Sequence, residues 1–343
     1  MNKTQSTCLK SKAKLARLEG FVLKEAEDFF RQQGFVPLFP PKIVRASGAC
    51  ENINTLFEVS VDKNHKWFNR NAYLSQTGQL YLEAMVPELK KVYCIGPSFR
   101  AEPKIDARHL TEFTMLEIEF AGNFEELLSH EEKLIHHVAQ KVASHPKAKE
   151  DFALSQQDIE RLSKCPSKFK RFTYDQAIDK LQGLGEDINW GDDINSHREK
   201  LLLATVDNQP FFITHYPDPM YPEHQDIEVE KFFNMLPSQD NPGRVLSADL
   251  ILPFGGEAVG AAARVHILEE LVKRLKNSKM YKRLEEKGGD ISDFQWYIDH
   301  IKENGAVPHA GCGFGMSRIL QYIGGKKDIT EAVTFPANKG LII

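Results

Sequence analysis

The sequence has none of the features that usually mark membrane-spanning, secreted or zinc-binding proteins. No apolar run approaches the roughly 20 residues that a bilayer-spanning helix needs. The first residues, MNKTQSTCLKSKAK, lack the apolar core of a signal peptide. The five cysteines form no CxxC pair and show no zinc-ligand spacing. We therefore expect a cytoplasmic protein without membrane contact, whose cysteines are reduced thiols.

An excess of charge of one sign is also missing. The 343 residues carry a formal net charge of −4, so the chain as a whole does not attract nucleic acid, although a local basic patch is compatible with this value. Hydrophobic residues make up 41% and charged residues 27% of the chain, as in ordinary globular proteins. The length suits one large domain or two modest ones.

A polar loop rich in cations is the most informative stretch of the chain. The apolar runs VYCIGPSF and TEFTMLEIEF, within residues 92–122, have the composition of paired strands, and the loop between them holds Arg100, Glu102, Arg108 and His109. Guanidinium groups fixed in such a loop can hold a polyphosphate through paired hydrogen bonds. The alternative is an ordinary hairpin with a solvated, charged turn.

The second of these runs predicts the direction of its side chains, because successive residues of a strand point to opposite faces. One predicted face carries two carboxylates and an aromatic ring: Phe113, Met115, Glu117 and Glu119. The other face is mostly apolar: Thr114, Leu116, Ile118 and Phe120. The first set is typical of the floor of an active site, and the second set is typical of a core.

The segments FRAE and RHLTEFTMLEIE, separated by a short loop, resemble motif 2 of class II aminoacyl-tRNA synthetases, in particular the aspartyl and asparaginyl group. The resemblance implies an α+β fold, in which an antiparallel sheet is flanked by helices. It also implies an AMP-forming ligase that uses ATP and Mg²⁺ to turn an amino acid into an acyl adenylate. It assigns ATP binding to seven residues: Arg100, Glu102, Arg108, His109, Phe113, Glu257 and Arg318.

Within this set the resemblance implies distinct tasks. Three residues are expected to be catalytic: Arg100, Glu102 and Arg318. Arg100 would neutralise charge on the α-phosphate, and Phe113 would stack on adenine. Arg108, His109 and Arg318 would hold the β- and γ-phosphates. No protein nucleophile is needed, because positioning and electrostatic stabilisation suffice for this reaction.

Two further stretches resemble the other motifs of the family. A helix predicted over residues 14–33 and the extended segment GFVPLFPPKI resemble motif 1, at about residues 20–43, which forms the dimer interface in the family. A homodimer is therefore expected, and an edge strand and helix of no special purpose are the alternative. The segment GAVPHAGCGFGMSRILQYIGG, at about residues 305–325, resembles motif 3. Its alternating glycines leave room for a nucleotide against the strand.

Four residues match the positions that bind the amino acid in the family: Glu51, Gln79, Glu83 and Arg264. The family glutamate that matches Glu51 receives the α-ammonium group of the substrate. The family glutamate that matches Glu83 accepts a hydrogen bond from the side-chain amide of the substrate. Aspartate-specific members have a lysine where this chain has Leu82, which favours asparagine because a β-carboxylate needs a cation. The run Ala261–Ala263 stands where the family has Gly-Gly-Ser or Gly-Gly-Thr, so asparagine, aspartate and a close analogue all stay open as substrates.

Asp249 and Glu257 match the family carboxylates that bind Mg²⁺. Magnesium prefers hard oxygen ligands, and two carboxylates suffice when ATP supplies the remaining oxygens.

The positions of the motifs also predict the organisation of the chain. We expect residues 1–13 to be a polar tail and residues 14–343 to be one catalytic domain with a variable insertion at about 145–170. The anticodon-binding domain of the family is not expected, because motif 1 begins so early. We therefore favour a ligase that passes the amino acid to an unknown amine acceptor, similar to archaeal asparagine synthetases. An enzyme that charges tRNA and a catalytically silent paralogue that binds only ATP or an amino acid are the alternatives.

Overall fold

A mostly antiparallel sheet of eight strands forms the centre of the molecule. The computed structural model describes residues 3–45, 53–61, 68, 71–103, 106–224 and 227–341. These residues form ten strands: β1 (Val36–Pro37), β2 (Ile43–Val44), β3 (Tyr73–Leu74), β4 (Lys91–Phe99), β5 (Glu112–Ala121), β6 (Lys170–Thr173), β7 (Phe211–Thr214), β8 (Ser247–Leu252), β9 (Gly256–Ala263) and β10 (His309–Gly315). The large sheet has the order β1-β4-β5-β10-β9-β8-β7-β6, and only its outermost pairs, β1/β4 and β6/β7, are parallel among the described residues.

Helices surround this sheet. The described residues form eleven α-helices: α1 (Lys3–Gln32), α2 (Gln79–Leu89), α3 (Phe124–Ala143), α4 (Ala148–Phe152), α5 (Gln156–Ser163), α6 (Tyr174–Gly183), α7 (Ser196–Ala204), α8 (Leu268–Asn277), α9 (Lys279–Glu286), α10 (Gln295–Asn304) and α11 (Met316–Gly324). The helix α3 begins with a capping box, in which the side chains of Asn123 and Glu126 each accept a hydrogen bond of 3.0 Å from the other's backbone N–H. The expected α+β architecture is confirmed.

The main core lies between one face of the sheet and the helices α1, α3 and α11. Four side chains of α1 recur every four residues and are buried there: Leu18, Val22, Ala26 and Phe30. Leu116, Ile118 and Phe120 of β5 meet them from the sheet. The predicted apolar face of β5 is therefore confirmed, and the opposite face of the sheet is left for a site.

The hairpin predicted around the cationic loop is also present. Strands β4 and β5 are antiparallel partners from Lys91↔Phe120 to Phe99↔Glu112. The loop therefore leaves the sheet at the end where Phe99 and Glu112 lie side by side.

Two polar segments are more ordered than their composition indicates. The expected polar tail, residues 1–13, is helical from Lys3 onward as the first part of α1. It has no apolar stripe that a periodicity argument could detect, so the sequence predicted the helix only from residue 14. The insertion at residues 145–170 contains α4 and α5, and Phe152, Leu154 and Leu162 lie in the main core.

The thiols of Cys94, Cys165 and Cys312 are free and buried. Among the residues that the structure describes, no helix combines the length and the apolar character needed to cross a membrane.

Candidate active site

A cavity of about 610 Å³ lies on the sheet face opposite the main core. Its floor includes a row of residues that are neighbours on adjacent strands: Glu117 on β5, Gly313 on β10, Gly260 on β9 and Asp249 on β8. The two glycines leave the backbone open between the two carboxylates, and a Cβ at Gly313 would overlap the side chain of Met115. A flat ligand can therefore lie directly against the strands.

The predicted site face of β5 is confirmed. All four of its side chains line the cavity: Phe113, Met115, Glu117 and Glu119. The carboxylate of Glu117 accepts hydrogen bonds from the Thr77 hydroxyl and, at 2.8 Å, from the backbone N–H of Gly78. Because Gly78 immediately precedes α2, Glu117 fixes the start of the helix that carries Gln79.

Arg100, directly after β4, lines the cavity beside Phe113. Its Cζ atom lies 5.3 Å from the centre of the Phe113 ring, so the guanidinium packs over the aromatic face. Glu102 lines the same part of the cavity. Arg100, Glu102 and Phe113, which lie near the two ends of the cationic loop, therefore line the same cavity.

Arg318, on α11, reaches the cavity from the opposite end of the chain. Its Nη1 atom donates to the backbone carbonyl of Glu257, and its Nε atom donates to the carbonyl of Arg108 at 3.4 Å. These contacts join motif 3 to the start of β9 and to the cationic loop. Two arginines that are 210 residues apart in the sequence thus line one cavity.

Arg108 is oriented by a residue that the sequence did not suggest. Its Nη1 atom lies 2.9 Å from a carboxylate oxygen of Glu199, on α7, and both side chains are largely buried. Burial raises the pKa of Glu199, and the guanidinium opposes that rise. His109 lies nearer the rim, where its Nδ1 atom is 2.7 Å from Asp106. Arg108 and His109 therefore both line the cavity, each with a carboxylate beside it.

Gln79 and Arg264 line the other end of the cavity, whereas Glu83 lies behind them. The Gln79 side-chain amide donates to Glu83 at 2.6 Å, and the Asn234 amide donates to the same oxygen at 2.8 Å. The Tyr297 hydroxyl also donates to Glu83. Glu83 is 4% exposed and does not line the cavity, so it holds Gln79 in place. The remaining predicted residue, Glu51, lies outside the described residues.

A buried ion pair neutralises Arg264. Its Nη2 atom lies 2.6 Å from Glu119 and donates at 3.0 Å to the carbonyl of Gly311. Burial alone would raise the pKa of Glu83, but His309 and Arg264 lower it to about 2. Burial raises the pKa of Glu119 to about 7, against the effect of Arg264. Since two nitrogens of Arg264 contact Glu119, we conclude that the ion pair is formed.

Glu83, Glu119 and His309 also place potential metal-ligand atoms within 4.8 Å of one another. The Arg264 guanidinium already supplies a cation there, 3.8 Å from Glu83 and 2.6 Å from Glu119. This group is therefore better explained as a buried ion-pair network around Arg264 than as a metal centre.

The two carboxylates expected to bind Mg²⁺ both line the cavity. Burial would raise the pKa of Glu257, but Lys231 and the surrounding arginines lower it, so this carboxylate stays ionised and available. Both oxygens of Asp249 accept hydrogen bonds from the Lys231 ammonium group, at 2.7 and 3.0 Å. The donor atoms of Glu257 therefore fit a hard divalent cation, while those of Asp249 are engaged by a cation of the chain itself.

Sequence reasoning missed Lys231 and Glu199 because each meets its partner only in the folded chain. Lys231 and Asp249 are 18 residues apart, and Arg108 and Glu199 are 91 residues apart. No local spacing signals such pairs. Successive side chains of the alanine run lie on opposite faces of the sheet, which was not foreseen from the sequence. Ala261 and Ala263 belong to the main core, whereas Ala262 belongs to the apolar cluster that contains Ile213 and Tyr216.

Comparisons with known proteins agree with this geometry. The sequence profile of "tRNA synthetases class II (D, K and N)" matches residues 6–339. The asparagine–tRNA ligase of Pelotomaculum thermopropionicum is 36% identical over 324 residues, which cover 94% of this chain and 68% of the relative. The asparagine–tRNA ligase of Thermococcus gammatolerans is 34% identical over 326 residues, with 94% and 69% covered.

Solved structures of asparaginyl-tRNA synthetases are also similar to this chain. The asparaginyl-tRNA synthetase of Pyrococcus horikoshii in complex with asparaginyl-adenylate superposes with a TM-score of 0.80 at 32% identity, over 97% of this chain and 70% of that one. The enzyme of Entamoeba histolytica with the same adenylate gives a TM-score of 0.77 at 27% identity, over 95% and 67%. The chain belongs to the class II tRNA synthetases of the aspartate, lysine and asparagine group, ligases that use ATP and Mg²⁺ to form aminoacyl adenylates.

Proposed function

We propose that the chain adenylates asparagine, or a close analogue with an uncharged side chain. This proposal rests on the distribution of charged side chains at the end of the cavity formed by Gln79 and Arg264. Leu82 is apolar, and the Arg264 guanidinium is already bound to Glu119. Among the described residues, a β-carboxylate beside Arg264 would therefore compete with Glu119 for its positive charge, whereas an amide carries no charge that needs a cation.

ATP would lie across Gly260 and Gly313, with its adenine stacked on Phe113. In this pose Arg100 would neutralise the α-phosphate as the carboxylate of the amino acid attacks it. A guanidinium group that is already held in place needs no reorganisation when the α-phosphate is attacked. The packing of Arg100 on Phe113 supports this role.

Other side chains of the cavity would bind the rest of the nucleotide. Arg108, His109 and Arg318 would hold the β- and γ-phosphates, and the Arg108–Glu199 pair would keep one of these guanidinium groups directed at them. Glu102 lies beside them at the cavity wall. Glu257 would contribute oxygen ligands to Mg²⁺, which shields phosphate charge when it is bound.

The acceptor is proposed to be the 3′ end of a tRNA. The relatives at 34–36% identity are asparagine–tRNA ligases, and this supports tRNA over the amine acceptor favoured by the sequence alone. An amine acceptor has no supporting contact among the described residues. Two assays separate the acceptors: transfer of labelled asparagine to bulk tRNA, and formation of an amide with ammonia or small amines.

Pyrophosphate exchange into ATP, run over a panel of amino acids, tests the adenylation itself. We expect exchange with asparagine or another amide-bearing amino acid, and at least about tenfold less with aspartate, because Arg264, the described cation at the Gln79 end of the cavity, is already paired with Glu119. Faster exchange with aspartate would overturn the proposed specificity. No exchange with any amino acid would leave the binding-only alternative in its place.

Replacing Arg100 tests the assigned chemistry. We expect Arg100→Ala to lower the exchange rate by at least about a hundredfold, because it removes the charge that faces the α-phosphate. Arg17→Ala is the matched control, since it removes an exposed arginine of α1 that precedes motif 1. Equal rates in the Arg100 variant and the control would refute the assignment.

The chain is also proposed to be a homodimer through motif 1, and the cytoplasm stays its expected compartment. Exposed apolar side chains in the motif 1 segment support the dimer: Val36, Phe39 and Ile43. Residues 14–343 are proposed to act as one catalytic unit, because residues from motifs 2 and 3 line the same cavity.

A further inference from the structure

The ammonium group of Lys231 is held on three sides inside the cavity. It donates to both oxygens of Asp249, at 2.7 and 3.0 Å. Its Nζ atom also lies 3.7 Å from the centre of the Tyr216 ring. The side chains of Lys231 and Asp249 are only 14% and 11% exposed, so this is a buried pair that water screens little.

Two other carboxylates line the cavity together with this ammonium group. They are Glu257 and Asp193, and the positive charge of Lys231 favours the ionised form of both. Neighbouring carboxylates are the usual setting of a divalent cation. Here the chain places one of its own cations beside them, in direct contact with Asp249.

An ammonium group and a divalent ion cannot share the Asp249 carboxylate at low cost. Magnesium needs oxygen ligands at about 2.0–2.1 Å in near-octahedral geometry. Each Asp249 oxygen accepts one hydrogen bond from Lys231 and keeps a further lone pair, but a second cation is repelled by the ammonium group at such close range. A metal ion at Asp249 would therefore bind against this repulsion unless Lys231 moved away from the carboxylate.

We propose that Lys231 is the resident cation at Asp249 and that it excludes a divalent ion from this carboxylate. Metal ligation by the chain is then left to Glu257 together with the phosphates of ATP. The inference replaces one of the two metal ligands that the sequence predicted. It rests on the geometry around Asp249 and does not depend on which amino acid or acceptor the enzyme uses.

Titration with Mn²⁺, followed by the electron paramagnetic resonance signal of the free ion, tests this proposal. The unmodified chain, Lys231→Met and Lys231→Met/Asp249→Asn are compared, first without nucleotide and then with a non-hydrolysable ATP analogue. We expect Lys231→Met to bind Mn²⁺ at least about tenfold more tightly than the unmodified chain without nucleotide. The double variant should lose this gain, because the freed carboxylate is gone.

With the ATP analogue, Lys231→Met should bind one more Mn²⁺ ion per chain than the unmodified protein. Equal affinity and equal stoichiometry in these two proteins would overturn the proposal, because the ammonium group would then move aside for the metal. Lys279→Met is the matched control, since the Lys279 ammonium group donates to a backbone carbonyl, that of Ile227, and should show no gain.

Should Lys231→Met fail to fold, Lys231→Gln is titrated in the same way. Its amide can still donate to Asp249 but carries no charge, so the same direction of change is expected. Pyrophosphate exchange by the unmodified chain tests the proposed adenylation separately. A negative Mn²⁺ result therefore leaves that function standing, and a negative exchange result leaves the cation assignment standing.

Discussion

The carboxyl group of Glu131 lies in an unusual environment for an ionisable residue. Glu131 is on α3, 0% exposed, and neither of its side-chain oxygens has a hydrogen-bond partner among the described residues. Burial raises its pKa well above the usual range, and the negative charges of Asp249 and Glu132 act in the same direction. The folded protein therefore keeps this group protonated, while the unfolded chain releases the proton above about pH 4.5.

This difference makes the free energy of unfolding depend on pH. Because the folded-state pKa is raised, stability falls as pH rises from the unfolded pKa toward the folded one. We expect Glu131→Gln to be more stable than the unmodified protein by about 1 kcal/mol or more at pH 8, and to show little gain at pH 5. Urea unfolding at the two pH values measures this. A gain of the same size at both would mean that the amide improves packing and that ionisation is not involved.

At the scale of elements, the turn between β8 and β9 positions the phosphate-binding cations. Phe254 and Gly256 both have positive φ, at 67° and 65°. A Cβ at Gly256 would overlap the Arg108 guanidinium and the Glu199 carboxylate. The turn therefore closes over the Arg108–Glu199 pair, and a glycine is required there both by the backbone conformation and by the close approach.

We expect Gly256→Ala to raise the KM for ATP in pyrophosphate exchange by about tenfold or more, because the added methyl displaces Arg108. Gly288→Ala is the control, since Gly288 also has positive φ, at 79°, but nothing lies within 4 Å of an added Cβ. Each substitution carries backbone strain of about 1 kcal/mol. If both variants change the KM equally, strain rather than displacement of Arg108 is the cause.

The elements differ in how far the sequence predicts them. Strand β5 was predictable residue by residue, because alternation fixes both its conformation and its two faces. The start of α1 was not predictable, because the polar residues before position 14 carry no apolar period. The insertion at 145–170 has polar composition, yet Leu162 is fully buried, and only the fold shows which of its few apolar residues reach the core.

For the whole molecule, the limit of sequence reasoning is the distance between partners along the chain. Arg100 and Arg318 were assigned to one site because each lies in a motif of the family. Lys231 lies in none, and its effect on Asp249 depends on a contact that local patterns do not encode. The amino-acid-binding role of Glu83 stays a prediction, and its place behind Gln79 depends on Tyr297 and Asn234, 214 and 151 residues away.

The proposed dimer belongs to the same scale, since it concerns a surface that the single chain leaves uncovered. Phe39 is 91% exposed and Ile43 is 49% exposed, within one short proline-rich segment next to β1. Apolar side chains exposed together cost free energy in water, and a partner surface that covers them recovers it. Aromatic side chains at the centre of an interface are frequent energetic hot spots.

We therefore expect the unmodified chain to have about twice the 39.0 kDa mass of one subunit in solution. Phe39→Asp should weaken dimerisation by about a hundredfold or more, because a buried carboxylate would lack a partner. Leu184→Asp is the control, since Leu184 is 51% exposed just after α6 and outside motif 1. Sedimentation equilibrium over a range of protein concentrations measures both. A dimer that persists in Phe39→Asp but dissociates in the control would place the interface elsewhere on the surface.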